Sequence, residues 1–193
     1  KGSVMSLFAI ADLHLSLGTN KPMDDFPGWN GYVRRLEDNW RRLVTDGDTV
    51  VVAGDVSWGM SLEQAGADFA FLHKLPGRKI LLKGNHDYWW TTRRKMDAYL
   101  EDNGLTSLSI LHNDAYAVDG RQAVCGTRGW FYDAEADADK KILAREVGRL
   151  NASIDAAKAT GLEPVAFLHY PPVYAGAVCE EILDALQRQQ IRR

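Results

Sequence analysis

Short apolar runs at residues 6–11, 48–53 and 79–82 alternate with segments of helical period, and that alternation constrains the chain more than any other feature. Residues 48–53 are rich in β-branched side chains, as a buried strand requires. Between the first two runs Val33, Leu36, Trp40, Leu43 and Val44 recur at helical spacing, an amphipathic helix that Gly47 stops. A second helix is expected over 61–74, where Ser61 followed by Gln64 fits a capping box and Pro76-Gly77 ends it. A third lies between Tyr88 and Leu100. Three short strands follow around 107–111, 115–118 and 123–125, separated by the turn signals His112-Asn113-Asp114 and Asp119-Gly120. Ile142, Leu143, Val147, Leu150 and Ile154 share one face of a long helix that stops at Gly161. A strand at 164–168 and a helix over 178–189 complete the pattern. Strand-helix alternation followed by consecutive strands predicts an α/β fold of layered sheets covered by helices.

At 193 residues the chain supports one sizeable core, so a single domain is expected over 5–193, with Lys1 to Val4 a cloning scar before a natural start at Met5. The composition, 46% hydrophobic and 25% charged, excludes disordered and fibrous classes. A net charge of -3 gives no general encouragement to nucleic-acid binding. No apolar stretch is long enough to span a membrane and no signal peptide precedes the first run, which together predict a cytoplasmic protein without a membrane partner. Cys125 and Cys179 lie in apolar neighbourhoods far apart in sequence and read as two buried hydrophobes rather than a disulfide or zinc knuckle.

The residues capable of chemistry follow the strands. Asp12 and His14 come after the first, at i and i+2, a spacing that lets carboxylate and imidazole converge; the pair also reads as a carboxylate orienting a surface histidine. Gly54-Asp55 follows the second, where Asp55 equally suits a turn. Gly84-Asn85-His86-Asp87 follows the third and is far more specific, expected by chance on the order of once in a thousand chains of this length. Asp87 also fits a helix N-cap. His169 closes the strand ending at Leu168. Together these place oxygen and imidazole donors at the carboxyl ends of several strands, where open α/β sheets bind ligands. Such donors suit Mn, Fe or Zn, and a shared Asp55 would let two ions act together on one water.

These residues resemble the calcineurin-like metallophosphoesterases, whose first four motifs are matched in order by Asp12-x-His14, Gly54-Asp55, Gly84-Asn85-His86-Asp87 and His169. The resemblance implies a four-layer α/β/β/α sandwich of two mixed sheets. It implies a first metal on Asp12 and His14, a bridging Asp55, and a second metal on Asn85 and His169. It makes His86 the catalytic group that donates to the phosphoryl group or protonates the leaving oxygen, with Asp87 holding its ring. The implied activity is hydrolysis of a small-molecule phosphomonoester or phosphodiester by a metal-bridging hydroxide.

The family's final Gly-His-x-His motif is absent. All five histidines are accounted for, since His73 near a helix end and His112 in a turn read as structural. The chain therefore looks C-terminally truncated, with the motif expected beyond Arg193. Two alternatives stand beside the phosphoesterase, a non-catalytic scaffold on the same fold and a nuclease of the same superfamily. The loop over 15–31 should rim the site. Trp58 and Trp89 are candidates to stack on an organic leaving group, and Arg128 to hold a phosphate. Core packing for the tryptophans and a surface salt bridge for the arginine are the competing readings.

Overall fold

The computed structural model describes residues 5–130 and 136–193, which form a mixed α/β fold in two compact units, Lys1–Ile110 and Leu111–Arg193. Lys1 to Val4 lie outside the described residues.

In the first unit β1 (Leu7–Ile10), β2 (Thr49–Ala53), β3 (Arg78–Leu82) and β4 (Leu108–Ile110) form one sheet in the order β1-β2-β3-β4, all parallel. The sequence reading expected both sheets to be mixed, but each strand here is joined to the next by a helical crossover, which returns the chain in the same direction. The crossovers are α1 (Tyr32–Leu43), α2 (Leu62–Lys74) and α3 (Arg93–Asp102). Every residue of β2 is buried, which is why it reads as an unbroken run rather than an alternating one. Val50, Val52, Leu81, Phe69, Leu72, Trp40 and Met96 share the unit's core. The expected cap of α2 forms halfway. Ser61 Oγ accepts from Gln64 N–H at 3.3 Å, but Gln64 Oε1 takes the N–H of Met60 at 2.9 Å instead of returning to Ser61.

In the second unit β5 (Tyr116–Ala117) runs antiparallel to β6 (Gln122–Thr127), and β6 is parallel to β7 (Glu163–Leu168), so this sheet is mixed. The helix α4 (Asp137–Ala159) connects β6 to β7 and contributes Leu143, Leu150, Ile154 and Ala157 to a core shared with Ala123, Cys125 and Ile182. Both cysteines are buried and free. A hairpin, β8 (Val173–Tyr174) with β9 (Ala177–Val178), precedes α5 (Glu180–Arg188). The sequence reading placed Val178 in the helix and missed the hairpin. Its two-residue turn carries Ala175 and Gly176 at φ 51° and 86°, and alanine in that conformation is no turn signal. No described helix is long and apolar enough to cross a membrane.

Candidate metal centre

The first two strands hand their pairing on to the loops that leave them. Asp12 N–H donates to Gly54 O at 3.0 Å, His14 N–H to Asp55 O at 2.9 Å and Leu15 N–H to Val56 O at 3.0 Å. The loops therefore advance side by side at the carboxyl edge of the sheet. Asp12, His14 and Asp55 have φ of 57°, 45° and 54°, and they are the only non-glycine residues in the described part of the first unit with positive φ. Left-handed backbone at a residue other than glycine costs about 1–3 kcal/mol and persists only where the surroundings impose it. Here it turns three polar side chains toward one point.

The ligand atoms of Asp12, His14 and Asp55 all lie within 4.8 Å of one another. His14 Nε2 is 3.7 Å from Asp12 Oδ1 and 3.6 Å from Asp55 Oδ2. Asp55 is buried, His14 largely so, and the Asp12 side chain is 58% exposed, leaving the cluster open on one side. An oxygen-nitrogen-oxygen donor set of this kind fits a divalent transition ion.

The Gly84-Asn85-His86-Asp87 turn fits closely around Asp55. A Cβ on Gly84 would fall 2.1 Å from Asp55 Oδ1, so this position admits only glycine. His86 N–H donates to the same oxygen at 2.8 Å, and Asn85, half-buried, lies between these two contacts. The His86 ring is 5.7 Å from that of His14, and its Nδ1 is 3.3 Å from the Tyr88 hydroxyl.

Asp87 corrects the sequence reading. Its carboxylate does not meet the His86 ring. It accepts backbone N–H bonds from Gly84 at 2.7 Å, Asp55 at 2.8 Å and Val56 at 2.8 Å, and the Trp89 indole N–H at 2.9 Å. Adjacent residues in a tight turn point apart, and the amides that surround Asp87 leave it no reach toward the imidazole. Burial pushes its carboxyl above the usual carboxylate range, while the bonds from Gly84 and Val56 pull it back down. Asp87 is thus the clamp that joins the turn after β3 to the loop after β2.

The tryptophans divide. Trp89 is buried, edge-on to Phe69 with ring centroids 4.8 Å apart, which leaves no face for a leaving group. Trp58 is half-buried beside the cluster, its indole stacked on His14 with centroids 4.8 Å apart and planes at 25°. Behind it lies a residue that the sequence reading missed. Asp68 on α2 is fully buried, accepting Leu17 N–H at 2.8 Å and the Ser57 hydroxyl at 2.5 Å, so it braces both ligand-bearing loops. Only the helical period, which puts Asp68 on the face of Phe69 and Leu72, marks it in the sequence.

In the second unit the β6–β7 register pairs Thr127 with Leu168, so Arg128 and His169 are the next residues on adjacent parallel strands, and Tyr170 N–H donates to Arg128 O at 2.8 Å. Arg128 is not a surface salt bridge. Its side chain is 19% exposed, 3.8 Å from the buried Glu146 carboxylate, with the guanidinium carbon 5.3 Å from the Trp130 ring centroid. His73 is structural, its Nδ1 2.9 Å from Ser107 Oγ.

A model of the family described as calcineurin-like phosphoesterase matches residues 5–187. No curated protein matches the chain. Among solved structures, the protein of unknown function AQ665 from Aquifex aeolicus is similar over 91% of this chain and 84% of its own, at 17% identity and a TM-score of 0.46. A second solved chain is similar over 96% of this chain and 80% of its own, at 12% identity and a TM-score of 0.59, a likeness of fold.

Proposed function

The chain belongs to the calcineurin-like phosphoesterase family, and from that premise we propose that it is a cytoplasmic, divalent-metal-dependent hydrolase of a small phosphomonoester or phosphodiester. The observation that carries the reading is the convergence of Asp12, His14 and Asp55, three ligand atoms within 4.8 Å on strained backbone. In the proposal Asp12, His14 and Asp55 would hold manganese, iron or zinc, and Asn85 and His169 would serve a second ion, in the four-layer arrangement that the family resemblance implies. When bound, such ions polarise a phosphoryl oxygen and acidify water. His86 has the part of proton donor to the leaving oxygen. Its backbone N–H, bonded to Asp55 Oδ1, ties that donor to the metal ligand, and the Tyr88 hydroxyl beside Nδ1 helps to hold its ring.

The test is metal stoichiometry after reconstitution with manganese, followed by hydrolysis of p-nitrophenyl phosphate and bis-p-nitrophenyl phosphate. About two equivalents of manganese with metal-dependent turnover that His86→Ala slows supports the reading. Manganese binding without turnover of any ester favours the scaffold, and absence of binding removes the metal site altogether.

A further inference from the structure

A histidine that binds a metal through one ring nitrogen almost always donates its other N–H to a carboxylate or a carbonyl, which fixes the plane of the ring. His14 departs from that pattern. Its Nε2 faces the Asp12 and Asp55 carboxylates, while Nδ1 is buried with no hydrogen-bond partner among the described residues. The ring is held instead by an aromatic wall. Trp58 lies on its face at 4.8 Å and 25°, and Trp29 meets it edge-on at 6.3 Å. The Trp58 indole is itself anchored. Its Nε1–H donates to Met23 Sδ at 3.3 Å, its backbone N–H donates to Leu15 O at 2.9 Å, and the Lys21 ammonium lies 5.0 Å from its ring centroid.

We propose that Trp58 is a positioning residue for the metal centre: its indole, in place of a hydrogen bond at Nδ1, sets the plane of the His14 imidazole so that Nε2 faces Asp12 and Asp55. The proposal rests on reading that cluster as a metal site. The torsion that turns an imidazole is broad and two-fold, so without a second hydrogen bond the ring plane is fixed only by what packs on it. A flat surface at stacking distance admits ring planes close to its own, and an aliphatic side chain does not impose that restriction. One face of the Trp58 indole is thus taken up by the His14 ring.

A planar ring at position 58 should be interchangeable with another, and a branched aliphatic should not. The experiment compares the parent chain with Trp58→Phe and Trp58→Leu, using manganese alone as the probe in calorimetry. His14 ring-proton shifts are recorded in the metal-free chain and assigned by difference against His14→Gln. Trp58→Phe should bind manganese within about threefold of the parent, and Trp58→Leu about tenfold or more weaker, with metal-free melting midpoints unchanged. The His14 ring protons should lie upfield in the parent and the Phe variant and move downfield in the Leu variant. Where Trp58→Leu melts early, Trp58→Met is read in its place with the same expectation. Manganese affinity that is equal in the parent and the Leu variant overturns the proposal, as does equal weakening by Phe and Leu. A parent that binds no manganese overturns the metal-site reading itself.

Discussion

The two ends of the parallel sheet in the first unit both bury charged side chains, and they do opposite things with them. At the amino end Asp48 and Lys79 are satisfied by neighbouring loop groups. Asp48 takes N–H bonds from Ser6 and Thr45, both at 2.7 Å, and the Thr45 hydroxyl at 2.8 Å. The Lys79 ammonium donates to Leu75 O at 2.6 Å and Gly77 O at 2.7 Å. Neither residue has positive φ. At the carboxyl end the three polar residues sit on left-handed backbone, and their side chains face one another. At the amino end the hydrogen-bonded Asp48 carboxylate supports the fold on relaxed backbone, while the Lys79 ammonium is tolerated there through its two carbonyl partners. At the carboxyl end the left-handed backbone instead brings three donor groups within 4.8 Å of one another, an arrangement that serves a site.

The sharpest break is Asp55→Asn set against Asp48→Asn. Asp55→Asn should lower phosphoester turnover about a thousandfold or more, the consequence of losing several kcal/mol of charge stabilisation at the metal centre. It should leave the metal-free melting midpoint at or above that of the parent, because the change relieves repulsion between carboxylates. A phosphoester turnover assay and a metal-free thermal melt decide this. A variant that loses stability but keeps turnover would place Asp55 with Asp48 as a structural group.

Lys79 sharpens the contrast through pH. Burial lowers its ammonium from 10.5 to about 8 against the opposing pull of Asp46. Between those values the unfolded chain holds a proton that the folded chain has released, so stability rises with pH across the window, by at most about 3 kcal/mol. Urea melts of the parent and Lys79→Met at pH 7.5 and pH 10 should differ by a gap that shifts in the parent's favour at the higher pH. A constant gap would mean that the lysine does not titrate there.

Asp48→Asn should cost about 2 kcal/mol near neutrality, the loss of charge-assisted bonds from two amides and a hydroxyl, with turnover per folded molecule unchanged. The bonds from Ser6 and Thr45 hold the Asp48 carboxyl below the usual carboxylate range. Its contribution is therefore complete above that range and lost as pH falls through the lower folded value. The cost of the substitution, read from urea melts, should shrink between pH 7 and pH 3.

How much of this was legible in the sequence follows from what each feature depends on. Residues 49–53 announced β2 because a strand buried on both faces must be apolar throughout, and Ser61 announced α2 because a cap is a local bond. The clustering of Asp12, His14 and Asp55 and the turn from Gly84 to Asp87 were legible by their place after strands. Their left-handed backbone was not, since aspartate and histidine carry no mark of positive φ in one sequence. The role of Asp87 was misread because its partners, the amides of Gly84, Asp55 and Val56, belong to backbone that any residue could supply. Trp58 and Trp89 look alike in sequence, each just beyond a ligand motif. Only packing separates the one on His14 from the one on Phe69.

The smallest expected effect lies where the two kinds of interaction meet. The Tyr32 hydroxyl donates to His14 O at 2.8 Å, a relaxed hydrogen bond of amino-end character made to a strained residue at the carboxyl end. Tyr32→Phe should cost about 1 kcal/mol in a urea melt, the worth of one such bond. It should weaken manganese binding only about twofold, because the imidazole keeps Trp58 against its face. Burial, with help from Asp68 and Asp24, pushes the Tyr32 phenol up to about 12. The unfolded phenol ionises first, near 10, so the parent's advantage should be constant below pH 10 and decline as pH rises from 10 toward 12. Should Tyr32→Phe weaken manganese binding as much as Trp58→Leu, the His14 backbone rather than the ring wall would be what positions the ligand.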